Sequence, residues 1–342
     1  MMGAAWFAIL AVMLTVYAVL DGFDFGAGIL HLFVARTDAE RRQVFAAIEP
    51  IWDGNEVWLV AAGGALVFAF PRVYAAAFSG LYLPLMMVLW LLILRGVSIK
   101  VRSQVDEPLW RAGWDAVFAL ASASMAVVLG VALGNVVRGV PLDATGYFQA
   151  DLFSLSGSRV GALSEYTALL GVFALATLGA HGATYLALKT TGTVQARART
   201  IGARWWAVAL VLAAVATAAT AATQSRFLAS ALGRPWIWPL PFAAIVSGVM
   251  SRRWLADGRD ARAFFASCAF IALLLAATAS ALFPVMLRST IDDAFTLGVD
   301  EATTRGLGPG AIVWTVGAAL VLGYVAYVLR TFRGKVEGQG HE

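Results

Sequence analysis

Ionisable side chains set inside or beside apolar runs are the residues of this sequence that could do chemistry. Near the centre of a hydrocarbon core each costs at least ~2.5–3.5 kcal/mol, so it must face a cavity, a partner or a water path. Asp21 and Asp24 stand three residues apart in the first apolar run, on neighbouring faces of one helical turn. Asp53 and Glu56 are also three apart, in Trp52-Asp53-Gly54-Asn55-Glu56 just before the second run, and Arg95 closes the third. Neighbouring carboxylates with a cation beside them titrate as a coupled set. Asp21, Asp24, Asp53 and Glu56, with Arg95 as charge partner, therefore read as a group that holds and relays protons, with Glu49 at its mouth before Pro50. The plainer account makes Glu49 and Glu56 interfacial charges and Asp53 and Asn55 helix caps. It suits Asp21 and Asp24 less well, because both lie within an otherwise apolar helix.

The three histidines are His31, His181 and His341. Histidine is the usual proximal ligand of haem iron, and a membrane haem with two axial ligands takes them from facing helices. His31, the only other histidine near a span, lies at a helix end. His181 is therefore read as a packing or proton-relay residue in preference to a haem ligand, and His341 as a solvated tail residue. Cys268 is alone in an apolar stretch and reads as packing. No phosphate loop ending in GK[ST], HExxH or paired-cysteine motif occurs, and no metal site is expected. Gly63-Gly64 reads as close packing of small residues within a helix. Gly22, Gly26 and Gly28 read as close helix approach or a local break. Trp6, Trp52, Trp110, Trp114, Trp205, Trp206, Trp236, Trp238 and Trp254 read as interfacial belts, and Trp58 as an exception near the acids.

The elements that must position these groups follow from composition. Of 342 residues 60% are hydrophobic and 13% charged, above the ~45–50% apolar share of a soluble domain. This is an all-α polytopic membrane protein. Nine spans of ~20 residues leave room only for short loops, which excludes a conventional soluble enzyme. The net charge of +4 reflects basic loops, and no nucleic-acid partner is expected. No Lys or Arg precedes Arg36, so the first run lacks the basic flank of a cleaved leader and is expected to remain as a helix. Apolar runs predict helices over 5–33, 55–70, 74–97, 114–136, 160–188, 203–223, 236–251, 263–287 and 310–332, forming one membrane domain over 1–342, with Pro71 at the tight turn after the second. If these alternate, one side collects 18 of the 25 Lys and Arg and the other seven. The positive-inside rule then sets the N-terminus outside and the C-terminus inside, with Asp21 and Asp24 in the inner third of the first helix. Asp21-Gly22 and His181-Gly182 hold comparable places in the first and fifth helices, a faint sign of a four-plus-four repeat.

Asp21-Gly22-Phe23-Asp24-Phe25-Gly26-Ala27-Gly28, Trp52-Asp53-Gly54-Asn55-Glu56-Val57-Trp58-Leu59 and Gly63-Gly64-Ala65 running to Phe70-Pro71 and Tyr74-Ala75-Ala76 resemble, in order and spacing, subunit II of the cytochrome bd ubiquinol oxidases, a family that includes cyanide-insensitive members. Gly134-Asn135, Gly139-Val140-Pro141, His181-Gly182-Ala183-Thr184-Tyr185-Leu186 and Phe283-Pro284 extend the likeness along the whole chain. The resemblance implies nine helices, as two four-helix bundles plus a peripheral helix, paired with a similarly folded subunit I. It implies that subunit I carries two b-type haems and one d-type haem, oxidises quinol and reduces dioxygen to water. It also implies a small single-helix accessory subunit and, in some members, an oxygen tunnel and a bound quinone in subunit II. Carried over by motif, Asp53 is the proton-path carboxylate, Trp58 lies along the oxygen route, and Asp21, Asp24 and Arg95 support the interface or relay. The implied setting is the bacterial cytoplasmic (inner) membrane.

The sequence thus points to a subunit of a quinol:dioxygen oxidoreductase, not catalytic alone, that contributes a cytoplasmic proton path. Two rivals use the same residues. A proton-coupled secondary transporter also needs intramembrane acids and glycine-broken helices, though nearer the midplane. A purely structural anchor would only stabilise a haem-bearing partner.

Overall fold

The structure is a computed structural model that describes residues 2–148, 161–303 and 306–337. Helix α1 (Met2–Val34) is unbroken through Gly22, Gly26 and Gly28. Thr37 opens the short helix α2 (Asp38–Ile48) with a capping box: its hydroxyl accepts from the Glu40 amide, and the Glu40 carboxylate accepts from the Thr37 amide. A turn in which the Ile51 amide donates to Ile48 O leads straight into α3 (Trp52–Ala69). Ile51 therefore occupies the cap position, and Asp53 and Asn55 lie inside the helix rather than capping it as the plainer account expected.

Phe70 alone separates α3 from α4 (Pro71–Gly80), where proline takes the first helical position. The single helix expected over 74–97 is divided at Leu81 into α4 and α5 (Tyr82–Val101). Pro84 has no N–H to offer the Gly80 carbonyl, which removes the hydrogen bond that would have carried the helix through. Helix α6 (Pro108–Arg138) stops at Gly139, whose φ of 91° suits glycine. Helix α7 (Glu165–Lys189) starts from a Ser164–Thr167 box, and α8 (Gly192–Thr223) begins well before the expected residue 203. Its added turns are basic and are neutralised in place: Arg197 pairs with Glu40 and Arg199 with Asp260. After α9 (Ser225–Leu232) and a 3-10 turn at Pro235–Ile237 come α10 (Pro239–Ala256) and α11 (Asp260–Leu282). Helix α11 ends short of the expected residue 287 because Pro284 cannot extend it, and the chain turns into strand β1 (Val285–Leu287), paired antiparallel with β2 (Leu297–Gly298). Helix α12 (Leu307–Thr331) leads to a tail whose Val336 amide donates to Lys189 O.

Among the described residues seven helices, α1, α5, α6, α7, α8, α11 and α12, are long and apolar enough to cross a membrane. At the centre α1 packs in parallel on α7. A methyl group built on Gly26 would overlap the Leu178 carbonyl and the Gly182 backbone, and one on Gly182 would overlap the Gly26 backbone, so both must be glycine for the helices to meet. Helix α1 also contacts α3, α6 and α11. Gly63 and Gly64 do not pack closely as expected: nothing lies within 4 Å of a β-carbon built on either, because they sit on an outward face of α3 with Val60 and Val67. Trp6 and Trp206 are core residues rather than belt residues, Trp6 because its indole N–H donates across the fold to Leu307 O and Trp206 because it packs edge-on against Phe270.

At the end of the array that carries the α1 C-terminus, ion pairs join helix ends. Burial pushes the Glu40 carboxyl up, but hydrogen bonds from Thr193, the Arg36 amide, Arg197 and the Thr37 amide outweigh this and bring it down to about 2. Folding thus lowers its affinity for protons, so its stabilisation is complete above the usual value of 4.5 and is lost as pH falls towards about 2. In detergent, Glu40→Gln should melt below the wild type at neutral pH, and this gap should close as pH falls through that window. Gly182→Val should lower the melting temperature more than any exposed Gly→Val change, since overpacking alone costs ~1–3 kcal/mol and here the obstacle is backbone.

Candidate functional site

The acidic group is assembled from three helices. Arg95, on α5 and 1% exposed, places Nη1 2.7 Å from Asp21 Oδ1 on α1 and Nη2 2.6 Å from Glu56 Oε1 on α3. Its guanidinium lies 4.3 Å from the centre of the Phe25 ring and 5.9 Å from that of Trp52, so aromatic faces share the charge. One turn along α1, Asp24 Oδ2 accepts from Asn55 Nδ2 at 2.7 Å, and the same amide donates to Leu20 O. Asp21 and Asp24 are fully buried, whereas Glu56 keeps 23% of its side-chain surface. Two carboxylates share one guanidinium and a third, Asp24, stands one turn away on α1, an arrangement able to hold an exchangeable proton.

Several buried atoms of this region have no hydrogen-bond partner among the described residues: Tyr17 Oη, Asp21 Oδ2, Asp24 Oδ1, Arg95 Nε and Trp58 Nε1. Buried polar atoms are nearly always paired, with water where protein is lacking. They are concentrated about one ion pair.

The structure brings together Asp21, Asp24, Glu56 and Arg95, with Trp58 5% exposed beside them, but not Asp53. Asn55 points into the helix array, and Asp53, two residues earlier and ~160° around the helix, points out. It is exposed and makes no side-chain ion pair or hydrogen bond among the described residues. Glu49 is likewise at the surface, paired with Lys100 at 2.9 Å.

His181 is buried with both ring nitrogens engaged: Nε2 donates to Val19 O at 2.9 Å, and Nδ1 lies 2.6 Å from Ser267 Oγ. Neither nitrogen is free for a metal. His31 is also buried, with Nε2 2.7 Å from Asp115 Oδ1, and His341 lies outside the described residues. Among the described residues no three His, Cys, Asp or Glu gather as a metal site. His181 thus does not fit axial haem ligation.

Sequence reasoning missed Asp115. This buried carboxylate on α6 takes His31, Arg102 Nε at 2.6 Å and Arg41 Nη1 at 2.8 Å, while Arg102 also reaches Asp38 at 2.7 Å. Burial alone would push the Asp38 carboxyl up, but Arg102, Arg42 and Arg111 hold it below the usual carboxylate range. The signal was present, since Asp115 opens an apolar run in the way Asp21 nears the end of one. Its place at an expected helix start made it look like a surface charge.

Comparison with known proteins gives this arrangement a family context. A family model described as cytochrome bd terminal oxidase subunit II matches residues 2–332. The chain is 31% identical to the cytochrome bd-I ubiquinol oxidase subunit 2 of Escherichia coli (strain K12), over 97% of this chain and 94% of that protein. It is 34% identical to a probable cytochrome oxidase subunit 2 of Haemophilus influenzae, over 88% and 86% of the two chains, and 32% identical to the cytochrome bd ubiquinol oxidase subunit 2 of Bacillus subtilis, over 87% and 86%. The solved bd oxidase of Geobacillus thermodenitrificans contains a chain of the same fold, with a TM-score of 0.77 at 17% identity, covering 97% of this chain and 98% of that one.

Breaking a buried ion pair on one side costs ~3–5 kcal/mol, whereas removing both charges together is often neutral. Arg95→Met should therefore lower the melting temperature more than the combined Arg95→Met, Asp21→Asn and Glu56→Gln variant. Equal losses would show that the site tolerates unpaired carboxylates.

Proposed function

The chain belongs to the cytochrome bd terminal oxidase subunit II family, and on that premise we propose that it is the second subunit of a bd-type quinol:dioxygen oxidoreductase. In this reading it pairs with a haem-carrying subunit I and delivers protons for the reduction of dioxygen to water. The observation that supports this best is the buried Asp21–Arg95–Glu56 group with Asp24 beside it. Family membership across residues 2–332 weighs against the proton-coupled transporter.

The proposed arrangement has nine spans: the seven long apolar helices, with α4 continuing into α5, together with the 18-residue helices α3 and α10. They form two four-helix bundles and a peripheral helix, with the N-terminus outside and the C-terminus inside a bacterial inner membrane. The end of α1 that bears His31, Arg41 and Arg102 then faces the cytoplasm. Asp53, exposed on the first turn of α3, collects protons, and Glu56, partly exposed, passes them to Asp21 and Asp24. Arg95 offsets the carboxylate charge, so a proton can be held and released without leaving an isolated ion in low dielectric.

The haems, two of b type and one of d type, belong in this reading to subunit I, where they carry electrons from quinol to dioxygen. A quinone in this subunit, an oxygen route past Trp58 and a small accessory subunit complete the proposal. His181, locked between Val19 and Ser267, serves packing. Because quinol protons are released outside and those consumed come from inside, turnover separates charge without a pump.

The test is a mild-detergent pull-down of the tagged chain from its native membrane, followed by a dithionite-reduced minus oxidised spectrum. A co-purifying haem protein with a d-type band is expected, and a haem-free eluate from membranes in which the oxidase survives detergent would overturn the assignment. In the assembled complex, Asp53→Asn and Asp21→Asn should each slow oxygen consumption while haem content stays near normal. Normal turnover in both, and in Asp24→Asn, would leave only the structural anchor.

A further inference from the structure

Tyr17 was not among the residues the sequence singled out. It lies one helical turn before Asp21 on α1, is 3% exposed, and its hydroxyl faces the Asp21 carboxylate closely while making no hydrogen bond of ordinary geometry among the described residues. Residues four apart lie on one face of a helix, ~5–6 Å apart at Cβ.

The α1–α3 register supplies the second observation. The helices run in opposite directions, and Asn55 of α3 bonds both Leu20 O and Asp24 of α1. Three residues back along α1 from Leu20 is Tyr17, and three residues on along α3 from Asn55 is Trp58. Both steps are ~4.5 Å along antiparallel axes, so Tyr17 and Trp58 occupy the same level. Among the described residues Trp58 Nε1 is a buried donor with no acceptor and Tyr17 Oη a buried hydroxyl with no hydrogen bond of ordinary geometry. An indole N–H can only donate, so two protein groups at this level need a third that accepts. Asp21 Oδ2, also without a hydrogen bond, lies on the side toward the α1 C-terminus.

We propose that Tyr17 is the next proton carrier beyond Asp21, reached through a water held by Trp58 Nε1, Tyr17 Oη and the free oxygen of Asp21. This rests on the proton-path reading above and extends it ~6 Å deeper into the membrane. In each passage the Asp21 O–H bond breaks as the water takes its proton. The water gives a proton to Tyr17 Oη, and the phenol releases its original proton to a water on its far side. Tyr17 begins and ends neutral, and the charge moves by one net proton. The titratable and charged groups facing it are Asp21 on its own helix, Glu56 on α3 and Arg95 on α5. Phe25 packs edge-on with its ring centre 6.4 Å from that of Tyr17.

The experiment uses the assembled oxidase with Tyr17→Phe, Asp21→Asn and wild type side by side. Losing a hydroxyl that makes no hydrogen bond of ordinary geometry among the described residues should cost little stability, so Tyr17→Phe should assemble with normal haem content. Oxygen consumption should fall about tenfold, a positioned proton-transfer group being worth ~10²–10⁴ and water recovering part of it. The ratio of rates in H2O and D2O should rise. If Tyr17→Phe turns over at the wild-type rate with an unchanged isotope ratio while Asp21→Asn is slow, Tyr17 is off the path and the Asp21 reading survives. If both run at full rate, the path itself fails and this inference with it. If Tyr17→Phe does not assemble, 3,5-difluorotyrosine at position 17 keeps the shape with a more acidic phenol. It should then move the alkaline limb of the pH–rate profile to lower pH, and an unmoved limb would exclude the phenol.

Discussion

A guanidinium that is 1% exposed has to be neutralised where it sits, and the arrangement of α1, α3 and α5 follows from that constraint. Arg95 satisfies it by reaching Asp21 on one helix and Glu56 on another, with Phe25 and Trp52 covering its planar faces. A buried ion pair is a poor source of net stability, because desolvation opposes most of the Coulomb gain. What it provides is position: three acids are held around one cation, with Asp24 fixed by Asn55. An Asn at that point of α3 does what a carboxylate could not, donating to Asp24 and to Leu20 O at once.

The opposite face of α1 is set by volume rather than charge. Gly26 and Gly182 let the α1 and α7 backbones touch, and that approach allows His181 to reach Val19 O. The two buried polar regions of α1 differ in kind. Around His181 both ring nitrogens, Ser267 and Thr184 have partners, as expected of a group that specifies packing. Around Asp21 several atoms have none. Saturated hydrogen bonding favours rigidity, and unsaturated bonding among buried polar groups favours water and exchange.

Much of the fold was legible because membrane insertion forces long apolar runs, and charges gather where those runs end. What hydropathy could not locate were interruptions with local causes: the break at Leu81, produced by Pro84 acting on Gly80, and the early start of α8, whose basic turns are neutralised by Glu40 and Asp260. Asp21, Asp24, Glu56 and Arg95 were readable as a group because each sits at comparable depth on helices whose ends face the same way. Asp115 obeyed the same rule but stood at an expected boundary, and Tyr17 carried no charge to draw notice. Both became visible only through what they touch or fail to touch.

The sequence by itself determined an apolar, membrane-type composition, the main helices, and a family signature in the runs at Asp21 and Trp52. Each of these is a property of residue type and spacing along one chain. Tertiary structure alone decided which acid meets Arg95, that Asn55 faces inward while Asp53 faces out, that Gly182 rather than Gly63 is the close-packing glycine, and which buried atoms lack partners. Those depend on helix rotation and crossing. Both are set by contacts between residues such as Gly26 and Gly182, too far apart in the chain for any local pattern to relate them.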